Sequence, residues 1–214
     1  MADHLPEYFE LPLRRFVEDA AARQPTPGGG SVTAMSAVLG CALARMTAAY
    51  TLGNDKLAEA HAEVGRLEAR LGEAEKLFRG LVFEDMEAYL AYEATRRRAA
   101  KDAAQHEKDS KQATLAVLAV PTELVALASA ALKACDELKE TVSKYLLSDL
   151  LAAAHLLHGA ALAAAVNARL NLKNVADSHV AETYRSQITK AVSHADRHLS
   201  SINSAISQRL SLPS

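Results

Sequence analysis

Between Val64 and Tyr92, apolar residues recur at alternating steps of three and four. They are Val64, Leu67, Leu71, Ala74, Phe78 and Leu81, then Ala88 or Tyr89, then Tyr92. No proline interrupts the run. The period is helical, and holding it for roughly eight turns commits this segment to one long helix. Such a helix cannot bury its stripe alone, so it needs other long helices beside it. One position breaks the stripe: Asp85, four residues after Leu81 and four before Tyr89. A carboxylate on a buried face must be paired, protonated or lining a cavity. Desolvation would raise its pKa, which suits a general acid or base. The alternative is a phase shifted by one residue, with Asp85 facing water beside Glu84. Periodicity alone does not choose between the two.

The rest of the chain agrees with a helical architecture. Aromatic residues make up 5%, tryptophan is absent, and no segment alternates as a strand would. The expected fold is all-α, a bundle of five to six helices, several long and antiparallel, forming one domain over 1–214. A short amphipathic helix carries Leu13, Phe16, Val17 and Ala20 and ends before Pro25. The next begins near Gly30 or Ser31, with Ser31 as its cap, and runs to about Leu52. Asn54 or Asp55 caps the long helix, which extends to about Arg98. Pro121 fits the first turn of a helix from Thr122 to about Leu138. Two more cover 144–170 and about Asp177 to Arg209. The polar stretch 96–112 reads as an exposed helix end or a mobile connection. On the second helix, Thr33, Ala37, Gly40 or Cys41, Ala44 and Ala48 form a small-residue face. That face serves either the core or a seam between two copies, and a homodimer is expected.

Composition removes several function classes. Lys and Arg total 24 against 26 Asp and Glu, a net charge of −2, so the basic excess of a nucleic-acid binder is missing. The apolar segments 31–52 and 146–172 are interrupted by polar residues and read as buried helices, with no membrane span. "MADHLPEYFELPLRRF" lacks the apolar core of a signal peptide, and a cytoplasmic protein is expected. Cys41 and Cys135 have no CxxC spacing and read as small buried hydrophobes. His194 with His198, and His155 with His158, share helix faces. Neither pair has an acidic motif such as HExxH, so no metal site is expected.

In "QPTPGGGSVTAMSAVLG", Gly28, Gly29, Gly30 and Ser31 imply a backbone that bends or approaches something closely just before a helix. No lysine follows, as a phosphate loop would require. Asp149 follows Ser148 at the start of an apolar run, where an acid also suits a helix N-terminus. Asn167 and Asn171 lie one turn apart in "VNARLNLKN". Asp149 and Asn167 share a face but stand about 27 Å apart along the axis, so they cannot hold one small group together.

Taken in order, these motifs resemble the cyclodeaminase/cyclohydrolase family, which acts on one-carbon tetrahydrofolates. "PTPGGGSVTA" resembles its P-x-P-G-G-G-S-V-A-A signature. "TLGNDK", "VFEDMEAYLAY", "AVPTELVALA", "LSDLLAAAHLL" and "VNARLNLKNV" resemble further segments at compatible spacing, from about residue 10 to about residue 205. The resemblance implies that Asp85 is the catalytic carboxylate. It implies that Gly28, Gly29, Gly30 and Ser31 line a folate site, with Asp149, Asn167 and Asn171 as further polar contacts. It also implies a dimerising helical bundle with no metal and no cofactor beyond the tetrahydrofolate substrate. The chain departs from the family pattern after the Asp85 helix, where "ATRRRAAKDAAQ" replaces a Leu-Pro-Lys and offers Arg96, Arg97 or Arg98 as its charge. "TLGNDKL" carries Asp55 where members tend to be basic.

The expected activity is hydrolysis of 5,10-methenyltetrahydrofolate to 10-formyltetrahydrofolate, since no formiminotransferase domain precedes this one in the sequence. The alternatives are formiminotetrahydrofolate cyclodeaminase activity and a non-catalytic folate-binding or scaffold role. A Gly29→Val substitution is expected to abolish binding before folding.

Overall fold

The Val64–Tyr92 stripe forms the helix that its period predicts, and the long helices around it set the frame. The structure, a computed structural model, describes residues 5–98 and 103–210. Among these residues six α-helices run in order: α1 (Leu13–Ala21), α2 (Gly29–Leu52), α3 (His61–Arg97), α4 (Ala103–Leu138), α5 (Leu147–Leu172) and α6 (Ser178–Leu210). Short 3-10 segments at Tyr8–Glu10, Asp55–Ala60 and Lys144–Leu146 punctuate them. No strand occurs among the described residues.

Helices α2, α3, α4 and α5 pack in a closed ring, each against the next and α5 back against α2, while α6 lies along α4 and α5. Cross-links show the antiparallel sense. Arg45 on α2 meets Glu68 and Glu75 on α3, while Ser31, earlier on α2, meets Asp85, later on α3. The core is largely aliphatic, with Leu67, Leu71, Phe78, Leu118, Leu132, Leu150 and Leu157 fully buried. The small-residue face of α2 belongs to this core. Ala37, Cys41, Ala44 and Ala48 are buried within the one chain. A Cβ on Gly40 would lie 3.0 Å from Leu157 Cγ and 3.3 Å from the Ala153 carbonyl, so α2 and α5 touch nearly backbone to backbone. Cys41 and Cys135 are free and fully buried, and burial pushes the Cys41 thiol up to about 12. Helices α2, α4 and α5 are long and apolar enough to cross a membrane, though about half of each apolar window is buried against the rest of the bundle (56%, 50% and 44%).

Three expectations about helix starts are corrected. Asn54 caps the 3-10 segment Asp55–Ala60, accepting from Lys56 N–H, and the long helix α3 begins only at His61. Ser31 does not cap α2; the N-cap is Gly28, and no side chain from that position bonds the first turn. Nor does Pro121 begin a helix, because α4 starts at Ala103 and carries Pro121 in its interior. Most of the polar stretch 96–112 is therefore helical, and residues 99–102 lie outside the described residues. A proline inside a helix leaves the carbonyl four residues earlier without its donor. Here that carbonyl belongs to Val117, and the Asn171 side chain on α5 supplies the missing donor, its Nδ2 lying 2.6 Å from Val117 O. The Thr122 hydroxyl donates to the next carbonyl, Leu118 O, at 2.8 Å.

The ring helices differ in length. Helix α2 has 24 residues, α3 has 37 and α4 has 36. Both α3 and α4 therefore extend past the start of α2, and this mismatch leaves a recess at one end of the bundle.

Candidate functional site

The recess is a cavity of about 340 Å³. Its walls come from the Pro25–Gly30 entry to α2, from α3, from α4 at Val117, Val120 and Pro121, and from the last turns of α5. Asp85 is part of the α3 wall. Of the two phases the sequence left open, the structure adopts the one that turns Asp85 inward, toward the cavity.

Asp85 is seated on the N-terminus of α2. The Ser31 hydroxyl donates to Asp85 Oδ2 at 2.6 Å, and the Ser31 backbone N–H also donates to the carboxylate. A side chain from α3 thus serves the free amides of α2 from outside, the role the sequence had given to Ser31 itself. The approach is possible only because residue 30 has no side chain. A Cβ there would lie 2.0 Å from Asp85 Oδ1 and 2.5 Å from its Cγ. No glycine in this loop has positive φ, so what Gly30 supplies is space. Gly29 is less constrained. Its Cβ would meet only Asn167 Nδ2, at 3.7 Å, an ordinary contact. The crowded position is Gly30, while Gly29 lines the cavity with room for a small side chain.

Opposing effects act on the Asp85 carboxyl. Desolvation dominates and raises its pKa above the ordinary aspartate value, while the two Ser31 hydrogen bonds pull it down. The positive end of the α2 dipole favours the charged form as well. No arginine or lysine contributes to the shift. The result is a carboxylate held above its ordinary range, with no arginine or lysine beside it among the described residues.

Most of the other sequence-derived residues converge here. Gly28, Gly29, Gly30, Asn167 and Asn171 all line the cavity. The Asn171 amide is engaged with Val117, so it fixes the shape of the wall. The Asn167 side chain makes no hydrogen bond to other described residues and is available to a ligand. Asp149 is not brought to this cavity. It lies in the first turn of α5, where its charge suits the helix N-terminus, at the opposite end of that helix from Asn167. The sequence reading did not name Tyr89, Tyr92, Val117, Pro121 or Leu170 as site residues, yet they complete the lining. Tyr89 and Tyr92 extend the stripe beyond Asp85 and read as core; Tyr89 is in fact 40% exposed. Their signal was two aromatics in a chain with few, one and two turns past a misplaced carboxylate.

Among the described residues, no three of His, Cys, Asp and Glu are gathered as metal ligands. His158 pairs with Asp196 at 2.7 Å and His198 with Asp136 at 2.9 Å, tying α5 and α4 to α6.

Fold and site together define a helical-bundle protein whose ligand cavity is built on a helix N-terminus and holds one partly desolvated carboxylate. The chain belongs to the formiminotransferase-cyclodeaminase family, whose model matches residues 12–190. It is 31% identical over 187 residues, 85% of its length, to the formimidoyltransferase-cyclodeaminase of Sus scrofa, and spans 34% of that longer protein. It is 30% identical over 77 residues to the methenyltetrahydrofolate cyclohydrolase of Methylorubrum extorquens, covering 36% of this chain and 37% of that one. Its fold matches the crystal structure of formiminotetrahydrofolate cyclodeaminase from Thermotoga maritima with a TM-score of 0.80 and 26% identity, over 95% of this chain and 97% of that one.

Proposed function

We propose that this chain closes the five-membered ring between N5 and N10 of a one-carbon tetrahydrofolate, acting as a formiminotetrahydrofolate cyclodeaminase. The observation that carries the proposal is the Asp85 carboxylate, held on the α2 N-terminus inside a cavity and lacking a cationic partner. In the reaction, N10 attacks the protonated formimino carbon attached to N5. Asp85 takes the proton that N10 loses and returns it to the amino group of the tetrahedral carbon. Ammonia leaves, and the product is the methenyl cation, whose delocalised positive charge the carboxylate then faces. Ser31 and the α2 dipole favour the charged form of the carboxylate and aim it. Asn167 offers a neutral donor and acceptor to the pterin side of the ligand.

Hydrolysis of the methenyl bridge is the second reading, and the similarity to the Methylorubrum enzyme favours it. Both reactions pass through a tetrahedral carbon between the same two nitrogens, so one carboxylate can serve either. The deaminase reading stands first, reversing the order expected from sequence, because the matches spanning most of this chain are to cyclodeaminases. Two assays on one preparation decide the matter: ammonia release from 5-formiminotetrahydrofolate and loss of methenyl absorbance. Ammonia release well above the uncatalysed rate is expected. Methenyl loss alone would install the hydrolase, and neither activity would leave a binding protein.

The working form is proposed to be a homodimer needing no metal, nucleic acid or membrane. Val32 and Leu39 on α2, with Leu156, Leu162 and Val166 on α5, are exposed apolar side chains on two adjacent helices, and a second copy would cover them.

A further inference from the structure

The face of α3 that carries Asp85 does not end at the reacting centre. Tyr89, Tyr92 and Arg96 follow it at steps of four, three and four, so all four residues lie on one side of the helix. From Asp85 to Arg96 is about 16 Å along the axis. Tyr89 and Tyr92 line the cavity. Arg96 stands just beyond, its guanidinium 5.8 Å from the centre of the Tyr92 ring, within cation–π range. Its Nη1 donates to Glu93 Oε1 at 2.9 Å, which leaves further N–H donors on the same planar group open to solvent. The Glu93 charge is shared, since Arg97 donates to its other oxygen at 3.2 Å. The trio Arg96, Arg97 and Glu93 therefore keeps one net positive charge. Carboxylate, aromatic pair and cation form a graded track that leads out of the cavity.

We infer that this track recognises the acidic tail of the substrate, with Arg96 binding a tail carboxylate. The inference rests on the folate reading above. With the N5–N10 bridge at Asp85, the aminobenzoyl ring falls beside Tyr89 and Tyr92, and the glutamyl carboxylates emerge toward Arg96. A planar guanidinium already held over an aromatic ring is suited to forked hydrogen bonding with such a carboxylate. Arg97, about 100° round the helix from Arg96, is not part of the track. Arg96 is a specificity determinant that touches the tail, and the chemistry at N5 and N10 does not involve it.

The test compares a one-carbon tetrahydropteroylglutamate with its tetrahydropteroate counterpart, which lacks the glutamate, on wild type, Arg96→Gln, Arg96→Lys and Arg97→Gln. For Arg96→Gln, KM for the glutamyl substrate should rise about fivefold with kcat nearly unchanged, the size of a charge-assisted contact at an exposed position. Neither constant should change for the pteroate form. Arg96→Lys should recover part of the loss, and Arg97→Gln should match wild type. Equal losses on both substrates, or no loss on either, overturn the assignment. A wild-type protein inert toward both substrates overturns the folate reading itself, and this assignment with it.

Discussion

Glu75 and Asp85 lie on the same helix, both turned inward, and their surroundings push them in opposite directions. Glu75 is 6% exposed, yet it is held below the ordinary glutamate range. Burial works against its charge, but Arg45 at 2.7 Å and Arg79 at 2.6 Å outweigh burial. Asp85 lines a cavity, has only Ser31 as its hydrogen-bond partner among the described residues, and is held above the aspartate range by desolvation. A carboxylate matched with two arginines fixes the register of α2 against α3. A carboxylate left without a cation beside a cavity can take part in chemistry. Both carboxyls are desolvated, and the presence or absence of arginine partners separates them.

Substitution breaks this comparison most sharply. Asp85→Asn keeps the shape and an acceptor for Ser31 but cannot move a proton, and turnover should fall about 10²–10⁴-fold. Glu75→Gln should leave activity per folded molecule nearly unchanged and lower stability by about 1–2 kcal/mol, discounted because both arginines are partly exposed. The two should also respond to pH with opposite signs. The lowered pKa of Glu75 gives stability above the ordinary glutamate range that is lost as pH falls through the folded value, so Glu75→Gln should converge with wild type in acid. The raised pKa of Asp85 favours the fold only below the ordinary aspartate value of 3.8, and that benefit is lost as pH rises through the folded value. Asp85→Asn should therefore melt at or above wild type at neutral pH, with the advantage gone in acid. Melting curves across pH check both signs.

Gly30→Ala is the next most severe test. The added Cβ would occupy the place of the Asp85 carboxylate, so the acid must swing off Ser31. A loss of about 100-fold in turnover is expected, with a stability cost of about 1–3 kcal/mol for the overpacked contact. Gly29→Ala, whose Cβ has room, is the control that should stay close to wild type. The mildest change is Ser31→Ala. Removing a bond that favours the charged carboxylate raises the Asp85 pKa further, so the acidic limb of the pH–rate profile should move up by about one pH unit. A limb that stays in place would mean that another group sets it.

Much of this was legible from the chain. The long helices follow from apolar periodicity, and Asp85 drew attention because it broke that pattern. What was hidden depends on pairings distant in sequence. Pro121 looked like a helix start because its neighbours reveal nothing of Asn171, which repairs the interrupted helix from α5. Ser31 looked like a cap because short-range rules cannot see a carboxylate arriving from α3. The glycine run announced close approach without saying which glycine was crowded, since only the packed position of Asp85 singles out Gly30. Asp149 shares a helix face with Asn167, but a shared face says nothing about which end of the helix meets the cavity.

The proline in α4 also ties the history of two helices together. Because Asn171 stands in for an amide that Pro121 removed, neither residue is free to change alone. Losing the asparagine first strands a carbonyl in the cavity wall, and losing the proline first leaves a side-chain amide competing with a restored backbone donor. A lineage that abandons this pocket should shed the two together, and one that keeps the pocket inherits them as a single unit.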